Sequence, residues 1–285
     1  MFGGYAPPRV YLINRACDND RLCNALRQLR EVGLSRCVVR VDAVDSDEAR
    51  LNRHRLTTRH LAEYIERFPR DAHVMVDGRI PMSWSGVAHA ASHGEVWSLI
   101  QCDAQPAIVF EDSVSVTDRE GFLHALHQAQ QCLAERSDDN TPAVCLIGSD
   151  AYTHLEVIRG DVFRLSGIFG GTLCYLINPS AARILSTNCF PMTYTLPTVM
   201  SRLSTFECEH HVEMSIVDTE LSGIERDGRF LPSVQVLIDD EISAQYVHDL
   251  LPIGEALARR IVGFLPAIAE ACVRCEFPYS VCRCA

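Results

Sequence analysis

The chain has 285 residues, of which 47% are hydrophobic and 22% charged, enough for one substantial core of ordinary globular composition. Its formal charge of −11 argues against a protein that coats nucleic acid, and no apolar run approaches the roughly 20 residues that cross a bilayer. The opening MFGGYAPPRV has neither the basic start nor the apolar stretch of a signal peptide, so a cytoplasmic protein without a membrane span is expected. All 26 basic residues are arginines. Any phosphate bound here must therefore be held by arginine, backbone N–H groups or metal.

Along the chain, Arg9 to Ile13 is short, apolar and bounded by Pro8 and Asn14, the pattern of a buried strand. Asp18 to Val32 places Leu22, Ala25, Leu26 and Leu29 at helical spacing, and Gly33 is its C-terminal stop. Cys37 to Val41 is a second strand, and strand, helix, strand at this spacing is a βαβ unit with a parallel pair. The pattern weakens from Ser46 to about Met82, where a helix is expected around Thr58 to Arg67 and the arginines read as a solvated face. A helix over Gly86 to Ile100 leads to a third strand, Ala107 to Phe110. A helix from about Glu120 to Glu135 precedes a strand at Ala143 to Ile147, another strand covers Thr172 to Ile177, and a helix starts at Pro179. The order predicts an α/β sandwich with a mostly parallel, mixed central sheet that binds ligands at strand C-terminal ends.

Acidic residues stand where the apolar strands stop: Asp42 and Asp45, then Glu111 and Asp112, then Asp150. Such a set can bind a divalent cation and hydrogen-bond ribose hydroxyls, although any one alone reads equally as a loop residue or helix cap. His89 and His93 have the i, i+4 spacing of helical zinc pairs. The glutamate that the zinc-protease motif places directly after the first histidine is missing, since Ala90 stands there, and zinc hydrolysis is set aside.

Five segments in order resemble glycosyltransferase family 25, whose members include lipooligosaccharide and collagen galactosyltransferases. Tyr11 to Arg15, with Arg21 downstream, is similar to its opening strand and helix. Arg40-Val41-Asp42-Ala43-Val44-Asp45 resembles R-I-D-A-V-D, and Ala90-Ala91-Ser92-His93, with Trp97 beyond, resembles A-L-S-H. Ile108 to Ser113 falls where the family has L-V-L-E-D-D, and Gly171 to Ile177 is similar to G-T-A-Y-L-I-S. The matches span roughly residues 9 to 190.

The resemblance implies a GT-A glycosyltransferase-like domain over residues 1–265, a UDP-sugar donor, and Mn²⁺ assistance. The implied reaction is inverting transfer of a hexose, galactose or glucose, to a hydroxyl of a glycan or protein acceptor. By the same analogy Asn14, Arg15, Arg21, Asp42, Ala43, Val44, Asp45 and Trp97 line the nucleotide-sugar pocket, and Glu111 and Asp112 hold metal. Asp112, His93 and Asp150 are the catalytic candidates, Asp150 as the base from its position alone. For His93 and Trp97, helix-to-sheet packing is an equal reading.

Two departures from the pattern matter. Ser113 replaces the last acid of E-D-D, and a hydroxyl is a poorer ligand for a hard cation than a carboxylate. Thr195 to Val199 carries no carboxylate where the family tends to have one. A catalytically inactive relative, acting as a nucleotide-sugar-binding or scaffold protein, is therefore the alternative. Residues 266–285 form a Cys-rich tail in which Cys272, Cys275, Cys282 and Cys284 make a C-x2-C-x6-C-x-C array. A structural Zn²⁺ site is one reading of it, disulfides or inert thiols are the others, and the tail is a possible seat of homo-oligomer formation.

Overall fold

The computed structural model describes residues 7–67, 83–138, 141–148, 154–165, 169, 171–204, 211–217 and 224–226. The expected boundary at residue 265, the tail cysteines and Asp150 lie outside them.

The first half runs β1 (Arg9–Asn14), α1 (Asn19–Glu31), β2 (Val38–Asp42), α2 (Ser46–Leu51), α3 (Arg53–Leu56), α4 (Arg59–Arg67), α5 (Trp84–Asp103), β3 (Ala107–Glu111), β4 (Val114–Val116) and α6 (Arg119–Asp138). Then follow β5 (Ala143–Gly148), β6 (His154–Arg159), β7 (Val162–Leu165), β8 (Cys174–Ile177), α7 (Pro179–Asn188), α8 (Leu196–Leu203), β9 (Glu213–Val217) and β10 (Ile224–Arg226). Eight strands form one sheet in the order β2-β1-β3-β8-β5-β9-β7-β6. β1 is parallel to both β2 and β3, and β5 is parallel to β9. β8 runs antiparallel between β3 and β5, and β7 is antiparallel to both its neighbours. Six of the eight strands thus point the same way. This is the α/β sandwich with a mostly parallel, mixed sheet that the sequence predicts.

Strict alternation of apolar residues along the central strands builds two cores, one on each face. Tyr11, Ile13, Val109, Val144, Leu146, Tyr175 and Ile177 meet α4, α5, α7 and α8 on one side. Val10, Leu12, Ile108, Phe110, Cys145, Cys174 and Leu176 meet α1 and α6 on the other. Burial pushes the thiols of Cys145 and Cys174 well above their ordinary value, so both are protonated and act as small apolar side chains.

Local chemistry sets the element ends. Gly33, at φ +81°, closes α1 as predicted. Leu34 N–H bonds to Leu29 C=O (2.8 Å) and Gly33 N–H to Arg30 C=O (3.0 Å), the paired bonds of a Schellman cap. Asn178 accepts from Ala181 N–H at 2.9 Å to start α7, with Pro179 in its first turn. The elements that the sequence patterns do not announce are α2, α3, α8, β4, β9, β10 and the β6–β7 hairpin. The hairpin had a signal in Gly160-Asp161, where Gly160 takes φ +50° between Arg159 and its partner Val162. In the basic stretch, Arg50 pairs with Glu66 at 3.0 Å and Arg59 with Glu63 at 2.7 Å, both in water. The solvated helix face is the arrangement found.

α5 approaches its neighbours closely at Gly94. A Cβ there would stand 2.7 Å from Cε2 of Phe190, too near for the ring to stay in place. Alanine normally gains roughly 1 kcal/mol over glycine inside a helix, whereas overpacking costs about 1–3 kcal/mol. Gly94→Ala is therefore expected to destabilise by about 1 kcal/mol, and a higher urea midpoint in equilibrium unfolding would contradict it. Among the described residues no helix is long and apolar enough to cross a membrane.

Candidate functional site

The parallel strands β1, β2 and β3 end side by side, and two polar clusters gather there on opposite faces of the sheet. The first centres on Asn14, the last residue of β1 and only 1% exposed. Its Nδ2 donates to Asp112 Oδ2 at 2.8 Å, and its Oδ1 accepts from Arg40 Nε at 3.0 Å. Arg40 Nη2 in turn reaches Asp42 Oδ1 at 2.6 Å, and Arg21 Nη1 lies 3.9 Å from Asp112 Oδ1. Burial raises the Asp112 carboxyl above its ordinary value, against the lowering effect of Asn14 and Arg21.

The other predicted pocket residues are distributed around this cluster. Arg15 is more than half exposed and pairs with Asp18 at 2.6 Å. Ala43 N–H bonds to Asn14 C=O at 3.0 Å, and Val44 N–H to Ser92 Oγ at 3.0 Å, which ties the segment after β2 to β1 and α5. Asp45 caps α2 by accepting from Glu48 N–H at 2.7 Å.

The second cluster lies on the α5 face. Glu111 has the phase of Ala107 and Val109, so its side chain enters the layer between β3 and α5. There His89 Nε2 is 3.1 Å and His93 Nε2 3.5 Å from Glu111 Oε1, and the two imidazole nitrogens are 3.2 Å apart. Thr172 Oγ1–H donates to the same Glu111 oxygen at 3.0 Å, and Ser113 Oγ–H to the other at 3.3 Å. His93 Nδ1 lies 2.8 Å from Tyr175 Oη, which also receives the Trp97 Nε1–H at 2.9 Å. His93, Trp97 and Tyr175 are completely buried, while the His89 side chain is 40% exposed. Solvent thus reaches the cluster along the His89 edge.

Burial alone would lift the Glu111 carboxyl, but the two imidazoles beside it outweigh that and hold it well below the usual carboxylate range. Burial lowers His93 to about 4, against the opposing hydrogen bond from Glu111, and keeps the imidazole neutral at physiological pH.

Two sequence expectations change on this geometry. Glu111 ends β3 and Asp112 opens the turn that follows, and their side chains leave in different directions: one carboxylate goes to the histidines, the other to Asn14 and Arg21. They do not converge on a shared cation of the Mn²⁺ type. Trp97 is enclosed, so its indole supports Tyr175 and His93 instead of lining a donor pocket. The residues that sequence reasoning missed are Arg40, Thr172 and Tyr175, together with Glu111 as the partner of both histidines. A signal for the last was present: α5 runs directly into β3, so paired histidines in the first half of that helix fall beside the acid ending the strand.

No family model matches the chain, and no curated protein does. Among solved structures it is similar to mannose-1-phosphate geranyltransferase from Thermus thermophilus, with 11% identity, a TM-score of 0.33, and coverage of 74% of this chain and 73% of that one.

Proposed function

We propose that the chain is a nucleotide-sugar-dependent transferase of GT-A-like layout, moving a hexose from a UDP-sugar to a hydroxyl of a glycan or protein. The observation that carries this reading is the Asn14 cluster. A buried amide at the carboxyl end of β1 cross-links β2 and β3 through Arg40 and Asp112, at the edge where open α/β sheets hold their ligands. With Asp42 and Asp112 offering acceptors for ribose hydroxyls, Arg40 is engaged within the cluster, and Arg15 and Arg21 at its border are the cations offered to a diphosphate. The family resemblance of residues 9 to 190 points the same way. A pair of carboxylates for Mn²⁺ does not fit Glu111 and Asp112, and the arginines take the charge-neutralising role in this proposal.

The test is calorimetric titration of UDP, UDP-galactose and UDP-glucose into the full chain, with and without Mn²⁺. Binding that ignores Mn²⁺ is expected. Arg15→Ala should weaken UDP by about tenfold or more, the worth of a charge-assisted hydrogen bond, while leaving the unfolding temperature unchanged because this side chain is exposed. Absence of binding by folded protein in both conditions would remove the transferase reading. The inactive-relative reading has its own support in Ser113, whose hydroxyl is committed to Glu111. UDP-sugar binding without transfer to any hydroxyl acceptor would favour it.

A further inference from the structure

The His89–His93–Glu111 cluster has a hydrogen-bonding problem that protons solve poorly. His89 Nε2 and His93 Nε2 face each other at 3.2 Å and both face Glu111 Oε1. That oxygen already receives the Thr172 proton. A ring N–H that serves the other imidazole cannot also serve the carboxylate, so one of the three contacts is always left without a proton. A single cation in the middle satisfies all three.

The dimensions fit one. Ligands held by a tetrahedral zinc ion at about 2.0–2.2 Å stand about 3.3–3.6 Å apart, and the sides of this triangle, 3.1, 3.2 and 3.5 Å, need open by only about 0.2 Å to reach it. The surroundings fit as well. Trp97 Nε1 can only donate, so Tyr175 Oη accepts from it. His93 Nδ1 lies 2.8 Å from the same oxygen, and in the Nδ1–H tautomer, with Tyr175 Oη accepting, the Nε2 lone pair is aimed at the cluster. An imidazole that ligates metal characteristically gives its other N–H to an oxygen in this way. Glu111 is oriented by two hydroxyls, from Thr172 and Ser113. The serine that breaks the acidic motif thus acts as a support for the carboxylate before it.

We propose that His89 Nε2, His93 Nε2 and Glu111 Oε1 are the three protein ligands of a zinc ion, with the fourth position open to water or a substrate oxygen along the exposed His89 edge. Three ligands and one open position is the pattern of a reactive zinc site, whereas structural sites are closed by four. This zinc site is independent of the nucleotide-sugar reading, because it uses the opposite face of β3.

The tail cysteines are candidate zinc ligands in their own right, so the test uses the full chain carrying Cys272→Ser, Cys275→Ser, Cys282→Ser and Cys284→Ser. After chelator stripping, the protein is titrated with Zn²⁺ against a chromophoric competitor, and with Co²⁺ as a spectroscopic probe. One equivalent of zinc is expected, with the intense visible bands of tetrahedral cobalt. His89→Ala, at a partly exposed position that tolerates truncation, should weaken zinc more than 100-fold. Tyr175→Phe should weaken it about 10–100-fold, the usual cost of losing an outer-shell partner. No zinc uptake by folded protein would overturn the proposal, and so would equal affinity in the His89→Ala chain.

Discussion

Trp97→Ala is expected to lower the free energy of unfolding by about 3–5 kcal/mol, the range for removing a fully buried large aromatic side chain. Trp97 is 0% exposed in the core between α5 and the sheet. Trp97→Phe separates the two parts of that cost. It keeps most of the volume but removes the N–H that bonds Tyr175 Oη, leaving a buried hydroxyl short of a partner at a cost of about 1–3 kcal/mol. Denaturant unfolding of the three chains checks this. Equal stability of the wild type and Trp97→Phe would show that the Trp97–Tyr175–His93 chain contributes nothing beyond packing.

The second large effect is a loss of stability in acid. In the folded protein burial lowers His93 to about 4, whereas an unfolded histidine titrates near 6.5. Between these values the unfolded chain binds a proton that the folded chain refuses. Stability conferred by the neutral imidazole is complete above about pH 6.5 and drains away as pH falls through 4, by about 3 kcal/mol in all. The depressed Glu111 carboxyl acts in the same direction at still lower pH, since it favours the fold only while ionised. Unfolding curves for metal-free protein from pH 7 to pH 4 should show this decline. In His93→Asn the slope over that window should flatten. A decline of unchanged size in the variant would place the responsible proton elsewhere.

Much of the fold was legible because local patterns govern it. The short apolar runs Arg9 to Ile13, Ala107 to Phe110 and Ala143 to Ile147, the helical spacing after Asp18 and the stop at Gly33 each report on a few residues of chain. The cluster at the strand ends was legible only in part. Acids at strand termini are visible in a sequence, which marks Asp42 and Asp112, whereas Asn14 enters only through the family resemblance. Which of them meet depends on strand order, and nothing local announces that β8 lies between β3 and β5. That insertion brings Thr172 and Tyr175 to Glu111 and His93. The acidic pair parts for a more elementary reason: Glu111 is the last residue of its strand and Asp112 the first of the turn, and the two side chains reach different partners.

The place of β8 also bears on how the chain can be assembled. Until residues 174–177 are made, the β2-β1-β3 block and β5 each present an unpaired backbone edge, and no earlier segment in the sheet order can cover either. β8 joins the β2-β1-β3 block to β5 and delivers Tyr175 to the histidines, and β9, made later still, joins β5 to the β7-β6 hairpin. A nascent or truncated chain ending before Cys174 therefore leaves the β3 edge, β5 and the β6–β7 hairpin unjoined and the Glu111 pocket without Tyr175; β8 covers the β3 edge and completes the cluster in one event, and the remaining edges wait for β9.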